Sequence, residues 1–321
     1  MKASAAAHPN IALIKYWGKN RTSGNLPAVD SLSVTLAAMR TQTEVDFGAD
    51  VTEDELILNG RPQPYERGRL KACLDALRTL AGTTRHARVR SDNDFPTGAG
   101  LASSASGYAA LVTAGAAALG LDPGDPRLHD AARIGSGSAP RSLMGGFVVL
   151  RRTADGTQCE QLLAPDAWPL DVVIAVVSES EKAVSSRDGM TSCQQTSPYY
   201  ASWVATHAKD MSDAQEFIRN RDFSGLAATA EHNCLKMHAV MLASRPALIY
   251  WTPATIGCIE VVQDMRSNGV PVFFTIDAGP QVKAICLSES TELVASALSG
   301  VPGVQRVMTG GLGSGPMLIG K

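Results

Sequence analysis

The sequence predicts an α+β protein, because stretches with strand-like and helical patterns follow one another along the whole chain. Neither pattern is confined to one block, which argues against an all-α or an all-β fold. The chain has 321 residues, of which 45% are hydrophobic and 19% charged, a composition typical of folded globular proteins. This length suits two domains of ordinary size or one large domain.

Strands are predicted where apolar and β-branched residues cluster between turn residues: 32–47, 55–60, 86–91, 145–152, 170–178, 270–277 and 282–288. Helices are predicted where apolar residues recur every three or four positions: 66–81, 101–120, 125–134, 190–220, 222–242, 254–268 and 290–299. The polar, weakly periodic segment 178–198 separates a predicted strand from a mainly helical half. We therefore predict two domains, 1–180 and 181–321.

Charge and apolar patterning exclude several classes of partner. A net charge of −2 provides no general field for nucleic acid or for an anionic membrane surface. No run approaches the ~18 uninterrupted apolar residues of a membrane span, and Pro9, Asn10 and Lys15 interrupt the apolar start in a way that argues against a cleaved signal. The six cysteines form no Cys-x-x-Cys pair, so neither a zinc ribbon nor a disulfide framework is indicated. The simplest prediction is a cytoplasmic protein.

Residues 96–107, PTGAGLASSASG, form a bare, hydroxyl-rich turn that leads into an apolar helix. Gly98 and Gly100 give the backbone freedom, and the serine hydroxyls can contact phosphate oxygens or a magnesium ion. Free N–H groups at the helix start favour an anion. The stretch matches neither the P-loop pattern nor the dinucleotide fingerprint. From the residues alone, a phosphate-binding turn and a helix start with serine caps both remain open.

Three further stretches place polar residues at strand ends or in turns of small residues. NIALIKYWGK (10–19) combines two aromatic residues with a lysine, as in a pocket for an anion or in an ordinary amphipathic strand end. IGSGSAPRSLMGGF (134–147) carries Arg141, whose planar fork suits phosphate or carboxylate. FFTIDAGPQVKAI (273–285) delivers Asp277 into an Ala-Gly-Pro turn, where a carboxylate is often a turn initiator. Taken singly, each stretch has a structural explanation.

Taken together, these stretches resemble the mevalonate diphosphate decarboxylases of the GHMP kinase superfamily. The motifs that carry the resemblance follow the family's order along nearly the whole chain: NIALIKYWGK, LPAVDSLSVTL (26–36), FPTGAGLASSASG, GSGSAPRS (135–142), KAVSSRDGM (182–190), MHA (237–239) and IDAGP (276–280). The resemblance implies a two-domain, GHMP kinase-like α+β fold with the active site in the cleft between the domains. It also implies a homodimer.

The family reaction consumes ATP: the 3-hydroxyl of 5-diphosphomevalonate is phosphorylated, and phosphate then leaves together with CO₂ to give isopentenyl diphosphate. The resemblance implies that the serine-rich turn receives the triphosphate. The ATP-binding residues that it implies are Pro96, Gly98, Gly100, Leu101, Ala102, Ser103, Ser104 and Lys182. Mg²⁺ is expected to arrive with ATP and to be held by phosphate oxygens and Ser104.

The resemblance also assigns roles around the substrate. It implies Asp277 as the base that orients the hydroxyl and accepts its proton, and Arg141 as the fork on the substrate carboxylate. Ser186 is expected near the reacting phosphate, and Lys19 completes the catalytic set. The substrate-binding residues that it implies are Tyr16, Trp17, Gly18, Lys19, Arg78, Ser136, Gly137, Ser138, Ala139, Pro140, Arg141 and Arg187.

Three other functions share parts of this pattern: a decarboxylase of the 5-phosphate, a plain GHMP-type metabolite kinase, and a non-catalytic metabolite sensor. Lys19, Arg78 and Arg187 supply more positive charge than one phosphate group needs, which favours the diphosphate. Asp277 argues against the plain kinase, and the presence of both Asp277 and Lys182 argues against the sensor.

A metal site at His232, Cys234 and His238 is not predicted, although these residues lie close in sequence. Positions 234 and 238 share a helix face, but one thiol and one imidazole do not make a site without further ligands. We predict a structural role for them.

Overall fold

The computed structural model describes residues 1–19, 25–48, 50–63, 67–96, 101–154, 156–180 and 182–320. The strands are β1 (Lys2–Ala7), β2 (Asn10–Ile14), β3 (Ser31–Thr35), β4 (Thr41–Asp46), β5 (Glu55–Leu58), β6 (Arg61–Pro62), β7 (Arg88–Asn93), β8 (Phe147–Arg152), β9 (Thr157–Leu163), β10 (Leu170–Val176), β11 (Val272–Thr275), β12 (Val282–Leu287), β13 (Arg306–Gly311) and β14 (Met317–Ile319). The α-helices are α1 (Arg67–Ala81), α2 (Ser103–Ala118), α3 (Leu128–Gly135), α4 (Ser186–Thr196), α5 (Tyr200–Asn220), α6 (Phe223–Leu242), α7 (Pro253–Ser267) and α8 (Thr291–Ser299).

One sheet has the strand order β14-β1-β4-β7-β5-β6 and is antiparallel except for the β5–β7 pair. In β4, buried residues alternate with more exposed ones, so the inward face packs on helices while the other face meets solvent. Helices α1, α2 and α3 share one apolar core with this sheet, built from residues such as Val45, Leu74 and Leu111. α2 is buried along most of its length because alanines let it lie close to β1 and β4.

Two antiparallel sheets, β2-β3-β8-β9 and β11-β12-β10-β13, make up most of the remaining structure. Helices α5 and α6 pack against each other, and their apolar faces join a core that includes residues of both sheets, among them Leu13, Val172 and Phe273. Helices α7 and α8 share a second core with β10, β11 and β12. The ends of β2 and β11 are thereby brought together beside the start of α2.

The interleaved helices and strands confirm the α+β prediction, but two predicted elements are divided. The predicted helix 190–220 is interrupted between α4 and α5, because Pro198 disfavours helical backbone at the residue before it. The predicted strand 32–47 becomes β3 and β4, with a turn between them.

The division into domains 1–180 and 181–321 stays a prediction. β10 precedes the predicted boundary and pairs with β12 and β13, which follow it. At the end of the chain, β14 pairs with β1. Within the described ranges, no helix is both long and apolar enough to cross a membrane.

Candidate active site

Most of the predicted site residues line a cleft of about 630 Å³. Its walls come from the segment after β2, the start of α2, the 3₁₀ segment Ala139–Leu143 and the residues before it, the start of α4, and the turn after β11. The predicted residues that line it are Tyr16, Trp17, Lys19, Ala102, Ser103, Ser104, Ser136, Gly137, Ser138, Arg141, Lys182, Ser186, Arg187 and Asp277. Positions far apart in sequence therefore meet at one cavity.

Asp277 lies two residues after β11 and pairs with a lysine that the motif analysis did not assign. Nζ of Lys15 is 2.8 Å from Oδ1 of Asp277 and also donates to the backbone oxygen of Ala12 at 2.8 Å. The side chain of Lys15 is 1% exposed and that of Asp277 29% exposed. The carboxylate therefore reaches the cleft while its cationic partner is sealed behind it.

The charge of Asp277 is set by its neighbours. Burial acts to raise the pKa of the carboxyl, but the ammonium groups of Lys15 and Lys283 and the guanidinium of Arg141 outweigh it, so the pKa lies below its ordinary value. Asp277 is therefore a carboxylate at neutral pH. It can accept a hydrogen bond from a substrate hydroxyl and fix the direction of that oxygen.

The peptide in front of Asp277 is held by two buried side chains of α6. The backbone N–H of Ile276 donates to Sγ of Cys234 at 3.2 Å, and the thiol lies 3.4 Å from the oxygen of the same residue. Nε2 of His238 lies 3.3 Å from that oxygen. Burial lowers the pKa of His238 to about 3. Burial raises the pKa of Cys234, so both side chains are neutral and support the backbone. Among the residues described, no group of three or more potential metal ligands occurs.

Arg141 is buried and anchored from behind the cleft. Its Nε and Nη2 donate to Oδ1 of Asn10 at 3.2 and 3.1 Å, and Nη1 donates to Oγ of Ser31 at 2.5 Å. Three of the five N–H groups of the guanidinium are used by these contacts with described residues. The fixed fork faces a cleft that also contains Asp277, an arrangement that suits a bound carboxylate.

Lys182 and Ser186 form a hydrogen-bonded pair at the start of α4. Nζ of Lys182 donates to Oγ of Ser186 at 2.6 Å and to the backbone oxygen of Ala278 at 3.0 Å. Burial lowers the pKa of Lys182. The ammonium group therefore links the first turn of α4 to the turn that carries Asp277.

A second group of cations surrounds Asn25, a residue that the motif analysis did not single out. Oδ1 of Asn25 accepts from Nζ of Lys19 at 2.8 Å and from Nη2 of Arg187 at 3.4 Å. Burial, and then the charges of Arg187 and Arg69, lower the pKa of Lys19 to about 8. Because each of these charges opposes the protonation of Lys19, the group is suited to a multiply charged anion.

Arg78 does not belong to this group, which corrects its predicted substrate role. Its guanidinium forms a buried ion pair with Asp54 and a second pair with the half-exposed Asp75, and Nε donates to the backbone oxygen of Arg85 at 2.8 Å. Arg69, from the first turn of the same helix, lines the cleft instead.

The start of α2 faces the cleft through Ala102, Ser103 and Ser104. Ala102 adopts a left-handed conformation with φ of 58° at the helix cap, where an alanine side chain cannot accept a bond from the helix N–H groups. Oγ of Ser104 lies 3.2 Å from Oγ of Ser136, which joins this turn to the residues between α3 and the 3₁₀ segment. These groups can surround phosphate oxygens.

Seven further predicted positions do not line the cleft or cannot be placed. Gly98 and Gly100 lie outside the described residues. Leu101 packs in the core, and Ala139 and Pro140 are buried beside the cleft. Pro96 and Gly18 are not among the lining residues. Gly18 has φ of +99°, and a Cβ there would lie 2.0 Å from Oη of Tyr200, so glycine is required at this position.

Comparison with known proteins agrees with this fold and cleft, which together define a GHMP kinase-like protein. Residues 7–161 match a diphosphomevalonate decarboxylase-like N-terminal domain, and residues 172–315 match a mevalonate 5-diphosphate decarboxylase C-terminal domain. The chain belongs to the diphosphomevalonate decarboxylase family.

Individual relatives extend over nearly all of the chain. Diphosphomevalonate decarboxylase mvd1 of Aspergillus fumigatus is 38% identical and covers 94% of this chain and 81% of its own. Phosphomevalonate decarboxylase of Haloferax volcanii is 33% identical, with coverage of 93% and 92%. A solved structure described as MDDEF in complex with MVAPP, AMPPCP and magnesium is 39% identical, with a TM-score of 0.91 and coverage of 100% and 99%.

Proposed function

We propose that this chain catalyses the ATP-dependent decarboxylation of (R)-5-diphosphomevalonate to isopentenyl diphosphate, with release of ADP, phosphate and CO₂. The observation that carries the proposal is the ionised Asp277, held by Lys15, in one cleft with the anchored fork of Arg141 and the Lys182–Ser186 pair. The relative solved with MVAPP, AMPPCP and magnesium supports the same substrate, nucleotide and metal.

The cleft offers separate positions for the two charged ends of this substrate. Lys19, Arg69 and Arg187 lie together and suit the diphosphate, because two linked phosphates carry enough charge to offset three cations. Arg141 suits the carboxylate at the other end, since a planar fork can form two parallel hydrogen bonds with it. The tertiary hydroxyl between these ends would then face Asp277.

The phosphoryl transfer step requires the hydroxyl oxygen to attack the terminal phosphorus of ATP. Asp277 accepts a hydrogen bond from the hydroxyl and then its proton, while the oxygen–phosphorus bond forms and ADP leaves. Because the pKa of Asp277 is lowered, its larger contribution is to orient the oxygen. Lys182 and the N–H groups at the start of α2 stabilise charge on the phosphates.

The decarboxylation step follows at the adjacent carbons. The bond between C3 and the phosphorylated oxygen breaks, and phosphate leaves with its electron pair. The bond between C2 and the carboxylate carbon breaks in turn, its electrons form the C2–C3 double bond, and CO₂ departs. Arg141 holds the carboxylate so that the breaking bond is aligned with the departing phosphate.

Mg²⁺ fits the residues that line the nucleotide side of the cleft. The hydroxyl of Ser104 is a hard oxygen ligand of the kind that Mg²⁺ accepts in company with phosphate oxygens. When bound with ATP, the ion supplies positive charge that neutralises the phosphates.

A product analysis tests the proposal. With 5-diphosphomevalonate and ATP, the protein should release CO₂, inorganic phosphate and ADP in equal amounts. A kinase would release ADP without CO₂, and a sensor would bind without turnover.

The 5-phosphate is the alternative substrate. It lacks one phosphate group, and a charge-assisted contact contributes about 1.5 to 3 kcal/mol, so kcat/KM should be at least about tenfold lower for it. Equal or faster turnover of the 5-phosphate would assign the chain to the activity of its Haloferax volcanii relative.

The proposal includes a cytoplasmic homodimer. Cys73, Cys159, Cys193, Cys234, Cys258 and Cys286 are all unpaired thiols in buried positions, which suits a reducing compartment. Light scattering coupled to size-exclusion chromatography would test the dimer.

A further inference from the structure

Asn25 lines the cleft from a segment that folds back beside the residues after β2. Lys19 and Pro27 pair in antiparallel fashion, and the N–H of Ala28 donates to the backbone oxygen of Gly18 at 3.0 Å. The backbone of Asn25 is left-handed, with φ of 57°, a conformation that asparagine adopts more readily than most residues with a side chain. The fold therefore places the amide group of Asn25 beside Lys19.

The two ends of this amide have partners of opposite character. Nδ2 donates to the backbone oxygens of Arg133 and Ile134 at 3.2 and 2.9 Å, in the last turn of α3, where the carbonyls have no partner within the helix. Oδ1 accepts from Lys19 at 2.8 Å and from Arg187 at 3.4 Å. The reverse orientation would set an NH₂ group against two cations and an oxygen against two carbonyls, so the orientation of the amide is fixed.

The oxygen of this amide holds two like charges side by side. Burial, and then the charge of Arg187, lowers the pKa of Lys19 to about 8, and the second of these causes is repulsion between the two cations. The contact uses one of the three donors of the ammonium and one of the five donors of the guanidinium. A carboxylate in this position would also hold the cations, but its charge would weaken their attraction for an anion. A neutral amide orders the cations and leaves their full charge to a ligand.

Asn25 also joins three walls of the cleft. Oη of Tyr16 donates to its backbone oxygen at 3.1 Å, and a Cβ at Gly137 would lie 2.2 Å from that hydroxyl oxygen and 3.4 Å from the oxygen of Asn25. α3 leads directly into the turn that contains Gly137, and Arg187 lies in the first turn of α4. The position of Asn25 therefore relates the cations to the other side chains of the cleft.

We propose that Asn25 is a positioning residue for the diphosphate end of the substrate. Its amide, fixed on the last carbonyls of α3, holds Lys19 and Arg187 side by side before the anion binds. Asn25 acts through these cations and not by touching the reacting atoms. The inference rests on the proposed function, because it takes 5-diphosphomevalonate as the ligand.

Asn25→Gly removes the amide and keeps the backbone, because glycine adopts a positive φ without strain. Calorimetry with 5-diphosphomevalonate should show an affinity about tenfold lower than that of the parent, since the ligand must then order two long side chains. kcat should stay nearly constant while KM rises, the pattern of an interaction that is equal in the ground state and the transition state.

Asn59→Gly is the matched control, because it makes the same change at another asparagine with a positive φ, 48°. Asn59 lies in the turn between β5 and β6 and is not among the described residues that line the cleft. The affinity of this variant for 5-diphosphomevalonate should equal that of the parent.

Asn25→Asp gives a readout that a merely structural asparagine would not move. The affinity of the parent for the anion should fall as pH rises through the pKa of Lys19, about 8, because the ammonium loses its proton. The added carboxylate raises the pKa of Lys19, so in Asn25→Asp this fall should begin at higher pH. At neutral pH the variant should bind more weakly than the parent, because the carboxylate repels the diphosphate.

Equal affinity in Asn25→Gly and the parent, or a fall at unchanged pH in Asn25→Asp, would overturn the proposal. Calorimetry does not depend on turnover, so the two proposals fail separately. A parent that binds 5-diphosphomevalonate without releasing CO₂ would contradict the proposed function, and weaker binding by Asn25→Gly would still support the role of Asn25. A parent that does not bind the compound would overturn both.

Discussion

Replacing Lys15 with methionine tests how Asp277 is held in the cleft. The substitution keeps the length of the side chain and removes the ammonium group that lies 2.8 Å from the carboxylate. Breaking a buried ion pair by removing one partner costs about 3 to 5 kcal/mol. Because the side chain of Asp277 is 29% exposed and water can reach it through the cleft, we expect a loss of unfolding free energy near the lower end, about 3 kcal/mol.

The same substitution should change catalysis in a way that a merely structural lysine would not. Without its partner the carboxylate can rotate, and misplacement of a catalytic group by ~1 Å costs about 10² in rate. We therefore expect kcat to fall about 100-fold. Lys15 also lowers the pKa of Asp277, so its removal should move the acidic limb of the kcat profile to higher pH.

The pH dependence of stability has a defined sign. A carboxyl whose pKa is lowered in the folded state contributes stability above the pH at which an unfolded aspartate titrates, and this stability is lost as pH falls through the folded pKa. Lys15→Met should therefore lose more stability at neutral pH than in acid. Denaturant unfolding across pH and kcat across pH measure both effects, and Lys283→Met, at a more weakly coupled ammonium, is the matched comparison. A variant with nearly normal kcat and an unmoved acidic limb would refute the reasoning.

Three further substitutions separate catalytic, substrate-binding and supporting roles. Arg141→Lys keeps the charge but loses the fork and the bonds to Asn10 and Ser31, so kcat/KM should fall about 100-fold in a protein that is still folded at the assay temperature. Its melting temperature should drop, because buried acceptors lose their donor, and an unchanged rate would remove Arg141 from the site. Arg69→Gln should raise the KM for the diphosphate substrate at least about tenfold. Arg78→Gln should instead lower the melting temperature and leave KM unchanged. The reverse pattern would restore the substrate role that the sequence predicted for Arg78. Cys234→Ala should lower kcat several-fold without changing KM, because it loosens the peptide of Ile276. Cys234→Ser should restore part of that loss. Equal kcat in both variants would argue against a supporting role of Cys234 for this peptide.

Sequence motifs predicted the parts of the site that are formed by contiguous residues. The turn around Asp277, the 3₁₀ segment with Arg141 and the start of α4 with Lys182 each line the cleft. Each stretch taken singly had a structural explanation, and it was the order of the motifs along the chain, with the family resemblance that this order carries, that predicted them as one site. The roles assigned to these residues remain proposals.

Long-range pairing was the part that the sequence did not reveal. Lys15 and Asp277 are 262 positions apart, and no local pattern joins them. A lysine inside the apolar run NIALIK was nevertheless a signal, because a buried ammonium requires an anionic partner.

The sequence predicted a substrate-binding role for Arg78, whereas Arg69 is the arginine of α1 that lines the cleft. The difference between the two has a geometric cause. The two arginines are nine positions apart in α1, and nine steps of about 100° place them on opposite sides of a helix. One side faces the cleft and the other faces Asp54. Composition alone does not distinguish these sides.

Some elements of the fold also lacked a local signature. β1 has the sequence KASAAA, without the β-branched residues that indicate strands, and its strand conformation comes from pairing with β4 and β14 on its two edges. The hydrogen-bonding partners of a strand, and not its own residues, decide such cases.

The most direct test of the proposed function is the Asp277→Asn variant. Asparagine keeps the size of the side chain and a hydrogen-bond acceptor for Lys15 but removes the negative charge that accepts the proton. Turnover is followed by phosphate release, substrate affinity by calorimetry and folding by thermal denaturation in the same preparation. A folded variant whose kcat falls by about 10² to 10⁴ while substrate affinity stays nearly constant is the result predicted for a group needed in the transition state. A variant that retains more than about a tenth of the parent kcat would contradict the assignment of Asp277 as the base.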